Sequence, residues 1–421
     1  MKRHSIRRAG IAIPALVVLP FVLMALLVAI AGRQFHDIHI RLHNESDAAA
    51  LAGADVLAHD DFLRGYIQSG ANASQLFDRL ELSRLAVRNF AMINPVYGGF
   101  SVPEWNTVDP PAGDILYGLY DRDATVPFTA YPLEDSSSMA ETNLHEINSL
   151  RVYIRRNRAA NNAISIPHMP LAGNGKVDAT VRSTVLLDND IIGFRPLFAT
   201  RPLPLSPIAL EAANWNLMFN TSPDVKSFNA TTGQFDDIPD QLPEITVTLT
   251  IPMPSLSLTP TGALLDIGLT SFNDFLAQIT NGVYASQLAA APFGGSFTLQ
   301  PDNSTMPGTM KLAVPGEPTF TSANGPDLAT TLGLLAQTPS QPRIYPLYTA
   351  FDSNGDAIIT RFVAARLVAA KPLTNLADEI EGIQLTLQPT RMSVPSATTN
   401  RLYRNYVGVS NPFILKVRLV P

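Results

Sequence analysis

The chain contains no cysteine. Disulfides, thiolate nucleophiles and zinc–thiolate sites are therefore excluded, and the fold must be held by packing. Charge is also scarce: Asp, Glu, Lys and Arg make up 16% of the residues, and 30 basic against 36 acidic side chains leave a formal net charge of −6. That balance offers nucleic acid no electrostatic footprint. The one dense basic run, Arg151, Arg155, Arg156 and Arg158, reads as a solvated strand or loop edge. The patterns G-x-S-x-G, H-E-x-x-H and G-x-x-x-x-G-K-(S/T) are missing as well, so no nucleophile elbow, zincin helix or phosphate loop is written in the chain. No catalytic, cofactor-binding or metal-ligating residue is assigned, and the protein is expected not to be an enzyme.

What the chain does have is one long apolar run. Ile11 to Ala31 carries no charge, and a helix of that length, rising 1.5 Å per residue, reaches about 32 Å, the thickness of a bilayer's hydrocarbon layer. Pro14 and Pro20 fall in its first half, where a kink or loosened hydrogen bonding is expected; membrane helices tolerate this. Lys2, Arg3, Arg7 and Arg8 precede the run with no acidic residue among them, whereas Arg33 and Arg41 after it mix with Asp37, Glu45 and Asp47. The positive-inside rule then puts the N-terminus in the cytoplasm and everything after Ala31 outside, as in a single-pass inner-membrane protein with a periplasmic or extracellular main domain. A cleaved secretory signal is the competing reading, because Ala29-Ile30-Ala31 meets the small-x-small requirement. The run exceeds the usual signal core in length, which favours retention. Gly10 is followed five residues on by Ala15 rather than Glu, which speaks against maturation as a conventional pilin.

Beyond the run come Asn44 and Ser46 and then the string DAAALAGA: Asp47, Ala48, Ala49, Ala50, Leu51, Ala52, Gly53 and Ala54. A basic tail, one span and an (N/S)-x-x-DAAALAGA-type string in this order resemble the N-terminal segment of the TadE/TadG-like membrane proteins of Tad/Flp pilus assembly. The resemblance reaches to about Asp60. It implies a structural component of a pilus-assembly or related envelope machine, with other pilus-assembly or envelope membrane proteins and the lipid bilayer as partners; a homo-oligomer stays open. The small face of Ala48, Ala49, Ala52 and Gly53 would let a partner helix approach closely. Some relatives of this kind carry a von Willebrand type A domain whose metal site begins D-x-S-x-S. Here Asp135-Ser136-Ser137-Ser138-Met139 lacks the last hydroxyl and reads as a polar loop. The alternative is an exported or membrane-anchored adhesion module with no pilus role.

The fold is expected to be α+β to mainly β: the membrane helix continues as a stalk helix to about Leu63, and an antiparallel β-rich exported region with inserted helices follows. The partition is residues 1–10 cytoplasmic tail, 11–31 span, 32–94 stalk and amphipathic helices, and 95–421 exported region, divided near 201–243. Ser74 to Asn94 has helical spacing of Leu76, Phe77, Leu80, Val87 and Phe90, with Ser74 as N-cap. Period-two alternation marks strands at Val177 to Leu187, Ile245 to Met253, Ile383 to Gln388 and Phe413 to Leu419. Helices are expected at Phe272 to Leu288 and Asp327 to Ala336. Asp352-Ser353-Asn354-Gly355-Asp356 begins like a calcium loop, but Ala357 and Val363 stand where Gly and Glu would be needed, so a hairpin turn at Asn354-Gly355 is preferred. His36, His39 and His43 would share one helix face as a solvated stripe.

Overall fold

An unbroken 52-residue helix, α1 (Ile6–Leu57), opens the described chain. The computed structural model describes residues 6–67, 73–95, 101, 103, 113–121, 124–131, 147–157, 162–165, 176–250, 260–289, 292–302, 309–316, 324–337, 341–375, 378–400 and 411–420. Helical backbone continues through Pro14 and Pro20. It stops at Leu57, short of Leu63, and a second helix, α2 (Asp60–Ile67), starts after a bend at Ala58–His59. The reason lies in Asp60 and Asp61, which favour the positive end of a new helix over the interior of an old one. A third helix, α3, spans Ala73–Ile93, so Ser74 lies inside it rather than capping it.

The chain forms two compact units: Met1–Val56 with Phe77–Leu186 and Leu419–Pro421, and Leu57–Leu76 with Leu187–Arg418. The segment 201–243, where the sequence reading set a division, lies within the second.

Unit 1 sets α1 and α3 with an antiparallel sheet. Its strands are β1 (Ile115–Tyr120), β2 (Phe128–Ala130), β3 (Ser149–Arg156) and β4 (Ala179–Asp188), in spatial order β2-β1-β3-β4. Register places Val152 of β3 opposite both Ile115 and Ser183. Leu150, Val152 and Ile154 are fully buried and alternate with half-buried Arg151, Tyr153 and Arg155, as a strand with one face on a core requires. On α3 the buried stripe is Leu76, Leu80, Ser83, Val87 and Ala91, whereas Phe90 is exposed.

Unit 2 is built on a closed six-stranded barrel. The strands are β5 (Ile208–Glu211), β6 (Ile245–Thr250), β7 (Gly262–Leu264), β8 (Thr309–Val314), β9 (Arg343–Phe351), β10 (Ala357–Thr374) and β11 (Ile380–Pro389). The ring runs β10-β9-β5-β7-β6-β11 and returns to β10, while β8 pairs on the side of β10. Closure depends on the 18-residue length of β10, which pairs with β9 and β8 at its start and with β11 from Ala365 onward. Register shifts between Leu367 and Ala369 and between Leu373 and Thr374 let it bend. Two pairings in the ring, β5 with β9 and β6 with β7, are parallel, which corrects the expectation of an antiparallel region. Each joins strands separated by a long connection, as parallel pairing needs.

Besides α2, three helices among the described residues pack within this unit. The segment Ala212–Thr221, not anticipated from the sequence, forms α4, whose Trp215 meets Phe413 edge to face at 5.7 Å. Next, α5 (Phe272–Asn281) is capped by Ser271, which accepts from the Asp274 amide. It ends well before Leu288 because Gly282 takes φ 98° and a Cβ there would lie 1.9 Å from the Leu203 carbonyl oxygen. Last, α6 spans Gly325–Gln337. The final strand, β12 (Ile414–Val420), buries both Ile414 and Leu415 but leaves Leu419 41% exposed. Neither face is consistently covered along it, so the expected alternation fails there.

Candidate functional site: the long N-terminal helix and the seam it makes in unit 1

Along α1 the environment changes abruptly. Every residue from Val17 to Ile30 is exposed, with Phe21 at 70%. The helix from Val17 has mean hydropathy 2.0 in its most apolar window, and by length and composition it is able to cross a membrane. From Ile38 onward a stripe at three- and four-residue spacing is buried instead: Ile38, Leu42, Ala49, Ala50, Ala54 and Leu57. One rod thus carries an unpacked apolar half and a packed half.

The motif residues lie in the packed half. Ala49, Ala50, Gly53 and Ala54 are buried, and Ala48, Leu51 and Ala52 are half-buried. The sequence reading reserves this small face for a partner helix, but at Gly53 the chain fills it itself. A Cβ on Gly53 would lie 2.4 Å from Val87 Cγ2 of α3, 2.7 Å from Leu150 Cδ2 of β3 and 3.3 Å from the Ser83 carbonyl oxygen. Close approach is therefore used inside unit 1, where glycine lets α3 and β3 pack directly on the α1 backbone.

Short polar residues stitch the same seam. Ser83 Oγ donates to the Gly53 carbonyl at 2.7 Å, Ser46 Oγ to the Val152 carbonyl at 3.3 Å, and Ser183 Oγ to Asp47 Oδ1 at 2.5 Å. Tyr117, fully buried, donates its hydroxyl to the Leu80 carbonyl at 2.9 Å, and burial raises its pKa. Asp47 thereby has a defined structural partner on β4, which its place in an alanine-rich string did not disclose.

Glu45 stands apart from these. It is 4% exposed, and neither carboxylate oxygen has a hydrogen-bond partner. Burial pushes its carboxyl up to about 7, against opposing pulls from the Ser101 hydroxyl and the Arg156 guanidinium. Ser101 Oγ is close enough to favour the charged form, yet it too lacks a hydrogen bond of good geometry. Arg156 is 4% exposed, with its Nε donating to the Asn162 carbonyl at 2.6 Å. The reading of the basic run as a solvated edge is therefore corrected. Strand parity puts Arg156 on the same face as Leu150, Val152 and Ile154, and that parity was the available signal. Arg151 instead covers the Phe128 ring at 4.0 Å, Arg155 pairs with Asp114 at 2.6 Å, and Arg158 lies outside the described residues.

Other sequence candidates take plainer roles. His36 and His39 are exposed and His43 half-buried, the last two edge to face at 4.7 Å. Asp352 to Asp356 form the β9–β10 turn: the Asp352 carboxylate accepts from the Asn354 and Asp356 amides, and Gly355 takes φ 85°. Asp135 to Met139 lie outside the described residues. Among the described residues no group of three or more His, Asp or Glu could hold a metal ion.

Among the described residues of unit 2 a dense ionic cluster surrounds α2. Asp60 accepts from Arg366 Nη1 at 2.7 Å, Thr390 Oγ1 at 2.8 Å and the Arg391 amide at 2.7 Å. Burial opposes ionisation of Asp60, but Arg366 and these hydrogen bonds outweigh it and hold the carboxyl below its usual range. Arg64 bridges Asp61 at 2.5 Å and Asp240 at 2.8 Å. Every charge in this cluster has an opposite partner, so its work is to pin α2 to the barrel. A cleft of about 400 Å³ in the same unit includes Lys226, Phe235, Gln337 and Val368 in its lining. Lys226, the one charged residue among the described lining, is bound to Asp237 at 2.6 Å. No protein-family model matches this chain, and neither does any curated protein or solved structure.

Proposed function

We propose that the protein is a single-pass membrane component that works by assembly, as a structural part of a Tad/Flp-type pilus-assembly or related envelope machine. Its N-terminus is cytoplasmic, and everything after Ala31 in both units is exported. The observation that carries this reading is the continuity of α1, whose exposed apolar half from Val17 to Ile30 passes without a break into the half that is packed in unit 1. A helix that serves only for export has no need to be built into the folded unit. In this chain its lower half supplies core residues, hydrogen bonds to β3 and β4 and the glycine contact with α3.

The orientation rests on Lys2, Arg3, Arg7 and Arg8 before the span, and the pilus context on the Asn44-to-Ala54 string. The test has two arms. Single cysteines introduced at Ser5 and Asp55 are probed with a membrane-impermeant maleimide in intact cells, and only the second should react. Deletion of the gene should abolish pilus assembly in cells that make such pili. Loss of surface attachment with pili intact would support the adhesion alternative instead.

A further inference from the structure

Glu45 sits in a stripe otherwise made of Ile38, Leu42, Ser46, Ala49 and Ala50, on the side of α1 that is buried in unit 1. Across the seam, strand parity turns Arg156 of β3 inward as well. The two charges are complementary, but no hydrogen bond joins them: both Glu45 oxygens are without one, and Arg156 is held by other partners, the Asn162 carbonyl among them. The other nearby cations are committed elsewhere: Arg84 of α3 pairs with Glu81, Arg155 of β3 with Asp114, and Arg182 of β4 is exposed. A buried carboxylate without hydrogen bonds is costly when ionised and cheap when protonated.

We propose that Glu45 is a proton-binding latch in the seam between α1 and the sheet of unit 1: protonated, it completes the packed stripe; ionised, it loosens the docking of the helix. The raised carboxyl pKa, about 7 against an ordinary 4.5, fixes the sign and the window. The folded state holds more protons than the unfolded state between those values, so stability falls as pH rises from about 4.5 to about 7 and is level above. Within the window the opening equilibrium of the seam should change by up to about tenfold per pH unit. An assembly built on this helix would then be tighter on the acidic side of neutrality.

The experiment uses the full chain in lipid nanodiscs. Infrared difference spectra should show a protonated-carboxyl band that disappears with a midpoint near 7 and is missing in Glu45→Gln. Hydrogen exchange at the Ser46-to-Ala54 amides, corrected for intrinsic rates, should lose protection as pH rises from 5 to 7 in the wild type and stay level in Glu45→Gln. If Glu45→Gln does not fold, Arg156→Gln is the second variant. It removes a cation that favours the charged form and should move the midpoint to higher pH. A wild-type chain with no carboxyl titration between pH 6 and 8, an equal pH dependence in Glu45→Gln, or an unmoved midpoint in Arg156→Gln would overturn the proposal.

Discussion

Replacing Gly53 probes the seam most sharply, because the structure sets the size of the effect. Carbon atoms in contact sit about 3.5–4.0 Å apart, so a Cβ placed 2.4 Å from Val87 Cγ2 and 2.7 Å from Leu150 Cδ2 overlaps each by about 1 Å. Val87 cannot swing away easily, since a β-branched side chain on a helix has one favoured rotamer. The Ser83 carbonyl, at 3.3 Å, is backbone and also accepts no displacement without moving α3. Overpacking of this kind costs about 1–3 kcal/mol, while exchanging glycine for alanine in a helix returns about 1 kcal/mol. Gly53→Ala should therefore be destabilising by about 1 kcal/mol, and Gly53→Leu, with three more carbons to place, by about 3 kcal/mol or more. Asp55→Leu, on the exposed side of α1, is the control and should change stability by less than about 0.5 kcal/mol. Hydrogen exchange at the β3 amides reads unit 1 by itself, and the order of protection should be wild type and Asp55→Leu, then Gly53→Ala, then Gly53→Leu. If Gly53→Leu keeps wild-type protection while crosslinking to other membrane proteins falls, the glycine faces a partner and the packing argument is refuted.

Further outcomes follow from the same contacts. Asp60→Ala leaves Arg366 and the Thr390 hydroxyl without their acceptor and should cost unit 2 about 3–5 kcal/mol in urea unfolding. Because the Asp60 carboxyl is held below its ordinary 3.8, its contribution is fully present above that pH and is lost as pH falls through the lower folded value. Acid unfolding of the wild type but not of Asp60→Asn should show this component. Asp352→Ala removes the carboxylate oxygen that accepts from two amides of the β9–β10 turn and should lower stability by about 1 kcal/mol, read as a shift in melting temperature. Added calcium should leave that melting temperature unchanged in both proteins; a rise of many degrees that Asp352→Ala abolishes would make the turn a calcium site. Ser271→Ala should cost about 1 kcal/mol through the lost α5 cap, measured the same way.

Local periodicity made much of this molecule legible. Ile245, Val247 and Leu249 alternate cleanly and form β6; Ile383, Leu385 and Leu387 form the middle of β11; Asn354-Gly355 lies in the turn between β9 and β10. Within the apolar run, Val17 to Ile30 likewise coincide with the exposed stretch of α1. What stayed hidden depends on partners far away in the chain. Nothing in Ala357 to Thr374 announces that one strand pairs with three others and closes a barrel, because its register shifts answer to neighbours and not to its own period. Gly53 reads equally well as an intermolecular or intramolecular contact until α3 and β3 are placed against it. Glu45 and Arg156 are ordinary charged residues by type, and only their positions on two buried faces make them a pair. Arg156 could have been found by carrying the parity of Leu150, Val152 and Ile154 two residues further.

Under the proposed function α1 is at once membrane anchor and core element of unit 1. N-terminal sequencing and intact mass of the protein recovered from carbonate-washed membranes test it directly. The expected result is a membrane-bound chain that still carries the apolar half of α1, with Val17 to Ile30 present. A mature chain beginning at Gly32 and released by the wash would contradict it.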